Sequence, residues 1–272
     1  MTKKEIVVSV TCYDNEDEVI EFAKMMNSHA GENISLVVTT NSVKDVVVFE
    51  KRIKEVKSNT VVYKPNNNLG YLNGCLYGAS QYIESHSVDY IMITNTDVSF
   101  SDSDFFAKIS QIELGEDIWC IGPNVVRASN KAAQNPFMIK RPSKRKMCLY
   151  RTIYSYQILY SLFVEIVKLK RIIMKREKKE ADSGKIYASD GSCFILSKTC
   201  ACKVFELSSN IMMYGEEVLV AEVVYSNRKM EWYLDNLHVV HHANSATGLM
   251  NLKRKQRWYK ESFTWLYNTF FR

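Results

Sequence analysis

The sequence predicts an α/β fold in which a mainly parallel sheet is covered by helices on both faces. Two observations predict it. Short β-branched runs alternate with amphipathic stretches of about 10–15 residues through the N-terminal half, a pattern typical of right-handed βαβ units. The composition of the 272 residues, 46% hydrophobic with only 10 Gly and 4 Pro, supports a large core. It excludes collagen-like, low-complexity and disordered chains.

The predicted elements follow one another in a regular order. Strands are predicted at 6–11, 35–40, 60–63, 90–94 and 118–121, and helices at 17–29, 43–57, 71–84 and 103–114. Ligands of such sheets bind at the carboxyl ends of strands, so the loops after Thr11, Thr40 and Thr94 are expected to carry the chemistry. None of these loops has a Gly-rich phosphate-binding pattern, which counts against dinucleotide oxidoreductases and P-loop nucleotidases.

Positive charge is concentrated in two segments. The formal net charge is +6, yet residues 140–180 contain 13 Lys and Arg against three Glu, and residues 253–272 contain six against one. The rest of the chain is therefore acidic. An apolar stripe at helical spacing accompanies each basic segment. The stripes are Leu149, Ile153, Tyr156, Tyr160, Phe163 and Val167 in the first, and Tyr259, Phe263, Leu266 and Phe270 in the second.

Two interpretations of these stripes stay open. The helices pack on the body of the protein or on a second subunit of a homodimer, or they rest on an anionic membrane surface. Nucleic acid is not an expected partner, because no nucleic-acid motif accompanies the basic residues. The predicted organisation is a catalytic domain at 1–250, with a basic helical insertion at about 140–180, followed by an amphipathic helix at 251–272.

Cysteine usage and hydropathy predict the compartment. The seven Cys are scattered without a C-x-x-C pair, which is typical of reduced thiols in the cytoplasm. No secretory signal opens the chain. The longest uncharged stretch, 152–164, is shorter than the roughly 20 residues that span a bilayer. We therefore expect a cytoplasmic protein that is peripheral at the inner face of the cell membrane.

The most informative loop is Asn95-Thr96-Asp97, directly after the apolar strand at 90–94. A carboxylate at this end of a strand is well placed to bind a divalent cation whose other ligands are phosphate oxygens and water. Asp alone at such a position also fits a turn or helix cap.

Three further motifs add to Asp97. The loop from Asn68 to Gly74 places amides, Gly and Tyr71 at the start of a helix, where they suit a nucleotide or sugar. Glu216 and Glu217 open an apolar helix, where a carboxylate complements the helix dipole or acts as a general base. His241 follows an apolar run and has a structural role or completes a metal site with Asp97.

In this order the motifs resemble those of family 2 glycosyltransferases with the GT-A fold, particularly the bacterial rhamnosyltransferase-like and capsular polysaccharide members. The resemblance spans residues 6 to about 247. The matching segments are Val8–Tyr13, Thr40–Ser42, Asn68–Tyr71, Asn95–Asp97, Asp190–Ser192 with Phe194–Leu196, Met213–Glu217, and His241.

The resemblance implies a reaction and a set of roles. Such enzymes transfer a sugar from a nucleotide-diphosphate donor to an acceptor hydroxyl, with inversion and with Mg²⁺ or Mn²⁺ on the diphosphate. Asp97 and His241 would bind the metal. Glu217 would be the general base and Glu216 would hold the acceptor, a glycan or lipid-linked molecule of surface polysaccharide synthesis. The implied donor-binding residues are Thr11, Tyr13, Asn41, Asn68, Gly70, Tyr71, Asn95, Asp190 and Gly191.

Two other functions remain as alternatives. The family usually has Asp where Thr40 stands, and the metal motif has a single carboxylate, which motivates a catalytically inactive glycan- or membrane-binding module. A sugar-phosphate nucleotidyltransferase is the second alternative. It would need a loop with Gly and Lys or Arg after the first strand, and residues 11–16 contain none of these. The release of nucleoside diphosphate from a donor separates a transferase from a binding module.

Overall fold

A mixed sheet of nine strands organises the protein. The computed structural model describes residues 4–29, 31, 33–112, 115–173, 181–242 and 251–272, and the strand and helix assignments below refer to these ranges. The strands are β1 (Ile6–Cys12), β2 (Ile34–Thr40), β3 (Thr60–Tyr63), β4 (Tyr90–Thr94), β5 (Val98–Phe100), β6 (Ile118–Arg127), β7 (Gly184–Ile186), β8 (Cys193–Ser197) and β9 (Met230–His241).

The sheet has a parallel half and a mixed half. Its order is β3-β2-β1-β4-β8-β6-β9-β5, with β7 paired to β9. The first four strands are parallel, and Val8 lies opposite Leu36 on β2 and Met92 on β4. β8 then runs antiparallel to both of its neighbours, β4 and β6, whereas β6 is parallel to β9. The parallel half follows the predicted alternation of strand and helix; the antiparallel insertion of β8 was not predicted.

Helices cover both faces of the sheet, as predicted. α1, α2 and α4 pack on one face; α3, α7 and α8 pack on the other, together with α5, α6 and α9. The helices are α1 (Glu16–His29), α2 (Val46–Val56), α3 (Tyr71–Ile83), α4 (Phe105–Gln111), α5 (Lys144–Ser155), α6 (Gln157–Ile173), α7 (Lys198–Ser208), α8 (Glu216–Ser226) and α9 (Leu252–Phe270).

The short strand β5 was not predicted. The boundaries of the predicted elements in the N-terminal half agree with the sequence pattern to within a few residues, with two exceptions. β6 continues to Arg127, well past the predicted end at residue 121, because it keeps pairing with β9 beyond a register shift at Pro123 and Asn124. α4 spans only Phe105–Gln111, and residues 113–114 of the predicted helix lie outside the described residues.

The basic insertion forms two helices where the stripe predicted one. Tyr156 is extended, with φ −118° and ψ 124°, and separates α5 from α6. Only part of the predicted stripe faces the protein: Tyr160 is buried, while Leu149 and Tyr156 are exposed. Residues 174–180 of the insertion lie outside the described residues. In the described part of the chain, no helix combines the length and apolar character that crossing a membrane requires.

The C-terminal helix α9 packs on the body of the protein. Trp258, Phe263 and Leu266 are buried, and α9 packs mainly against α5. Arg141 fastens the end of α9. Its guanidinium binds both carboxylate oxygens of the buried Glu222 on α8, at 2.8 and 2.9 Å, and donates to the carbonyl of Phe270. The buried part of the α9 stripe is therefore an internal contact, whereas α6 keeps an exposed apolar face that is available to a membrane or a second subunit.

Candidate active site

A cleft of about 800 Å³ opens at the carboxyl ends of β1, β2 and β4. All the predicted site residues lie in its lining, although they come from loops scattered over 230 positions of the chain. They are Thr11, Tyr13, Asn41, Asn68, Gly70, Tyr71, Asn95, Asp97, Asp190, Gly191, Glu216, Glu217 and His241. The parallel half of the sheet supplies one wall. The second wall comes from the loop before β8 and from α8, β9 and α9.

Asp97 and His241 form the polar centre of the cleft. Asp97 lies between β4 and β5, and His241 ends β9, which pairs with β5. The His241 Nε2 is 3.4 Å from the Asp97 Oδ1, and both side chains are largely buried. The His241 Nδ1 donates to the amide oxygen of Gln134 at 3.0 Å, and this contact orients the ring so that Nε2 points toward Asp97.

This arrangement fits a divalent cation. The Nε2 of His241 is buried, has no hydrogen-bond partner among the described residues and lies 3.4 Å from a carboxylate oxygen, a pairing of ligand types that a cation could bridge. A His and an Asp suit Mn²⁺ or Mg²⁺ when diphosphate oxygens and water complete the shell. Across the described ranges, no cluster of three His, Cys, Asp or Glu side chains suits a metal, so the protein offers only part of a shell.

Gln134 connects the Asp97–His241 pair to the Asp190 loop, and no sequence pattern predicted this role. Its amide nitrogen donates to the Asp190 carboxylate at 3.3 Å, while its oxygen binds His241. Neighbouring Asn135, which is buried, accepts from the backbone N–H of Asp190. Asp190 in turn accepts from the Ser192 backbone and hydroxyl. The Gln134-Asn135 dipeptide has no motif around it, so the sequence pattern contains no signal for its role.

Glu216 and Glu217 approach the Asp190-Gly191 loop from the first turn of α8. A Cβ at Gly191 would lie 2.9 Å from the Glu217 Oε1 and 3.1 Å from the Glu216 Cγ, so glycine is needed for the carboxylates to come this close. Gly215, with φ +100°, starts the helix in the left-handed conformation that glycine favours.

The Glu216 and Glu217 side chains are partly buried, and each has the other and Asp190 as acidic neighbours. Burial raises the pKa of Glu216 to about 7, with a further contribution from Asp190. Burial, repulsion from Glu216 and repulsion from Asp190 raise the pKa of Glu217 well above its ordinary value. The pair therefore holds a proton near neutral pH, and a carboxyl group in this state is suited to proton transfer.

The loop before α3 closes another side of the cleft. Gly70 has φ +77°, and a Cβ there would collide with the carbonyl of Met212 at 2.1 Å. Asn68 accepts from the Gly70 N–H at 2.9 Å, and the Tyr71 hydroxyl donates to the Gly191 carbonyl at 2.9 Å. This loop is thus tied to the two loops that carry the acidic groups.

The ends of β1, β2 and β4 form the remaining wall of the cleft. Tyr13 is exposed, and its backbone N–H donates to the Asn15 side chain at 2.8 Å. Thr11 packs against α3, where a Cβ on Gly74 would meet its methyl group at 2.7 Å. Asn95 donates through its backbone to the Ser192 carbonyl at 3.0 Å, which connects β4 to the Asp190 loop.

The helix α9 also lines the cleft, although the sequence analysis treated it as an appendage. Its cleft-lining residues are Arg254, Lys255, Trp258 and Tyr259. The Tyr259 ring stacks on Tyr214, the residue two before Glu216, with centroids 4.2 Å apart. The basic, aromatic composition of the tail is the signal that could have found it. Residues 243–250, which connect β9 to α9, lie outside the described residues and include the end of the resemblance at about 247.

Comparison with known proteins identifies the fold. No protein-family model and no curated protein matches the chain. Its structure is similar to that of mannosyltransferase PcManGT from Pyrobaculum calidifontis in complex with GDP-Man and Mn2+, with a TM-score of 0.54 and 10% identity. It is also similar to GalNAc-T7 with UDP, GalNAc and Mn2+, with a TM-score of 0.53 and 10% identity. The chain has a glycosyltransferase fold of the GT-A type.

The similarity covers most of this chain but a smaller part of each of the two neighbours. It covers 90% and 89% of this chain, but 59% of the mannosyltransferase and 44% of GalNAc-T7. The chain thus spans about half the length of these two proteins. At 10% identity the comparison concerns the GT-A fold alone, so the finer resemblance to bacterial rhamnosyltransferase-like and capsular enzymes stays a prediction, as do the roles of the site residues.

Proposed function

We propose that the protein is a metal-dependent, inverting glycosyltransferase that moves a sugar from a nucleotide-diphosphate donor to an acceptor hydroxyl. The observation that supports the proposal is that a candidate metal-binding pair and a pair of carboxyl groups line the same cleft. The Asp97–His241 pair presents a buried imidazole nitrogen beside a carboxylate, and Glu216 and Glu217 lie against Gly191 in the neighbouring Asp190 loop. The GT-A fold of the chain supports the same function.

Each wall of the cleft has a role in this proposal. Thr11, Tyr13 and Asn41, at the ends of β1 and β2, line the nucleoside pocket. Asn68, Gly70 and Tyr71 border the donor sugar, as do Asp190 and Gly191. Asn95 lies beside the metal pair. Asp97 and His241 would hold Mg²⁺ or Mn²⁺, and the cation would supply positive charge for the leaving diphosphate.

The acidic pair activates the acceptor. Glu217 removes the proton of the acceptor hydroxyl as its oxygen bonds to the anomeric carbon and the nucleoside diphosphate leaves. Glu216 accepts a hydrogen bond from the acceptor and holds it in place. Burial and the neighbouring carboxyl groups raise the pKa of Glu217, which makes its carboxylate a stronger base once it is ionised. Attack from the face opposite the diphosphate inverts the anomeric configuration.

The proposed setting is surface polysaccharide or lipid-linked glycan synthesis at the inner face of the cell membrane, in the cytoplasm. The structure describes all seven cysteines and none forms a disulfide, which agrees with a reducing compartment. An inactive binding module would have little use for two partly buried carboxyl groups of raised pKa, because burying them destabilises the fold.

The test is turnover of a panel of uridine- and guanosine-diphosphate sugars, with Mn²⁺, with Mg²⁺ and with chelator. We expect nucleoside diphosphate to be released from at least one donor, only with a divalent cation. NMR of the glycoside product then gives the anomeric configuration. A donor that binds without any release in the presence of a range of acceptors supports the binding module instead.

The Asp97→Asn variant makes the test specific. It keeps the shape of the side chain and removes the charge, so metal-dependent donor binding measured by calorimetry should be lost. The matched control is Asp117→Asn, because Asp117 is an exposed carboxylate paired with Lys229, outside the cleft. Unchanged metal-dependent affinity in Asp97→Asn would contradict the metal assignment.

A further inference from the structure

The helix α6 is apolar on two faces. Its inner face packs Tyr160, which is 4% exposed, against the aromatic cluster of α5 and α9. On the outer face, four aliphatic side chains at spacings of four, four and three residues are exposed. They are Ile158 at 76%, Leu162 at 55%, Ile166 at 60% and Leu169 at 56%.

The exposed apolar side chains on the outer face of α6 indicate an interaction site. We define the outer face as Ile158, Leu159, Leu162, Ile166 and Leu169, all of which are exposed. A helix that is apolar all round is normally buried, and a contiguous exposed apolar patch marks an interaction site. The predicted stripe in this segment includes the inner face and omits these residues, so the exposed face became visible only in the structure.

The charge around the outer face decides between the two candidate partners. The segment 140–180 has 13 Lys and Arg against three Glu. Lys144, Arg145 and Lys146 are exposed at the start of α5, which contacts α6. In a two-fold dimer the same basic patch would face itself, which is repulsive. An anionic bilayer provides both the apolar medium for the aliphatic side chains and negative charge for the basic residues.

We propose that the outer face of α6 inserts into the interfacial region of an anionic membrane. The helix lies in the plane of the surface, with its aliphatic side chains among the lipid headgroups and upper acyl chains. The basic residues of the segment bind lipid phosphates.

Docking in this way brings the acceptor side of the cleft to the membrane. The ring centroid of Tyr160 on the inner face of α6 is 5.8 Å from that of Tyr259, and Tyr259 lines the cleft next to the loop that carries Glu216 and Glu217. An acceptor anchored in the bilayer would therefore approach the acidic pair directly. This consequence for the acceptor rests on the proposed glycosyltransferase function, whereas the membrane surface itself does not.

Flotation with lipid vesicles tests the surface. We expect the protein to float with vesicles of phosphatidylglycerol and phosphatidylcholine at low salt, to float less at 0.5 M salt, and to stay at the bottom with phosphatidylcholine alone. The double variant Leu162→Ser/Ile166→Ser should lower the bound fraction at least tenfold. The control is Val47→Ser/Val48→Ser, which changes two exposed aliphatic residues on α2, on the other face of the sheet.

Two results would overturn the proposal. One is flotation of the Leu162→Ser/Ile166→Ser variant equal to that of the unmodified protein. The other is a dimer of the unmodified protein in sedimentation equilibrium that this variant converts to a monomer, since a second copy would then cover the face. Circular dichroism and release of nucleoside diphosphate from a soluble donor should not change in the variant. Flotation without transferase activity would contradict the proposed function but would still support the membrane-binding surface.

Discussion

Glu216 and Glu217 are adjacent in sequence, yet their surroundings differ. Glu216 lies near Asp190 and Tyr214, whereas Glu217 has Tyr154 and Tyr259 of the aromatic cluster as further neighbours. Adjacent residues on a helix point about 100° apart, so the two carboxylates present themselves differently to an acceptor. Their roles are therefore separable by substitution.

We predict that Glu217→Gln lowers turnover by about 10²–10⁴-fold, because the amide keeps the shape of the side chain and cannot take a proton. Donor affinity should change little, since the base contacts the acceptor. Glu216→Gln should mainly raise the KM for the acceptor. The measurement is steady-state kinetics with a saturating donor. Near-native turnover in Glu217→Gln together with an inactive Glu216→Gln would reverse the two roles, and activity in both would remove the pair from the mechanism.

Gln134 is a positioning residue in this site, because it acts through His241 and Asp190. We predict that Gln134→Leu weakens Mn²⁺ binding in the presence of nucleoside diphosphate by about 10–100-fold, the usual effect of losing a residue that orients a metal ligand. Without the amide oxygen, the proton of His241 is no longer held on Nδ1, and Nε2 is less available to the cation. Electron paramagnetic resonance of free Mn²⁺ measures this directly.

The matched control is Gln111→Leu at the exposed end of α4. Gln134→Glu separates the two contacts further. Its carboxylate still accepts from His241 but repels Asp190, so metal affinity should recover while turnover stays low. Equal Mn²⁺ affinity in Gln134→Leu and Gln111→Leu would show that the contact with His241 has no part in metal binding.

Among the secondary-structure elements, α9 depends on Arg141 for its attachment at the C-terminal end. Besides binding Glu222, the guanidinium lies 4.4 Å from the centre of the Phe271 ring and 4.6 Å from that of Tyr225. Tyr187 also donates to Glu222, at 2.6 Å. The carboxylate of Glu222 is almost fully buried and depends on these two partners for compensation.

We predict that Arg141→Met lowers the free energy of unfolding by about 3 kcal/mol, because it leaves a buried carboxylate without its cation. Urea unfolding measures the change. The double variant Arg141→Met/Glu222→Gln should recover part of the loss, since it removes the buried charge as well. Arg52→Met is the control: the Arg52–Asp17 pair is exposed and should contribute less than about 1 kcal/mol. Equal losses in the two single variants would mean that Glu222 does not require Arg141.

Secondary structure was predicted well where a segment has a single hydrophobic periodicity. It was predicted poorly where strand direction or a helix break depends on residues far away in the sequence. β3 and β4 were found to the residue because they are continuous apolar runs between helices. The antiparallel direction of β8 depends on its neighbours β4 and β6, and no local pattern encodes it. Within the insertion, the break at Tyr156 was missed because the stripe continues through it.

The same reasoning applies to the site. Asp97 could be placed at the binding edge because strand ends meet at one edge of a parallel sheet, and His241 was joined to it through the resemblance to glycosyltransferases. Gln134 could not, because its role is a pair of side-chain contacts from an irregular segment. The contribution of Tyr259 was missed because it requires knowing how α9 packs.

In the molecule as a whole, buried carboxyl groups with raised pKa values make the stability depend on pH. Burial raises the pKa of Glu231 from its ordinary 4.5 to about 7. Its Oε1 accepts from the Ser189 N–H at 2.6 Å, and its Oε2 is buried with no hydrogen-bond partner in the described part of the chain. Between pH 4.5 and 7 the folded state therefore binds more protons than the unfolded state, so the free energy of unfolding falls as pH rises.

We predict that the thermal unfolding midpoint of the unmodified protein declines from pH 5 to pH 7.5, and that Glu231→Gln flattens this decline. The amide stays neutral at every pH, so the variant should be the more stable protein at pH 7.5. Glu206→Gln, an exposed position on α7, is the control and should follow the unmodified protein. Parallel pH profiles of Glu231→Gln and the unmodified protein would show that Glu231 is ionised throughout this range.

The antiparallel insertion of β8 also constrains the order of folding. The first four strands of the sheet are complete at Thr94, but the outer edge of β4 finds its partner only at Cys193–Ser197, about a hundred residues later. Until then, five buried apolar and β-branched residues present an unpaired strand edge, which is a template for aggregation. Fragments that stop between α4 and β8 should therefore accumulate in inclusion bodies, and any soluble truncation of this protein has to retain β8.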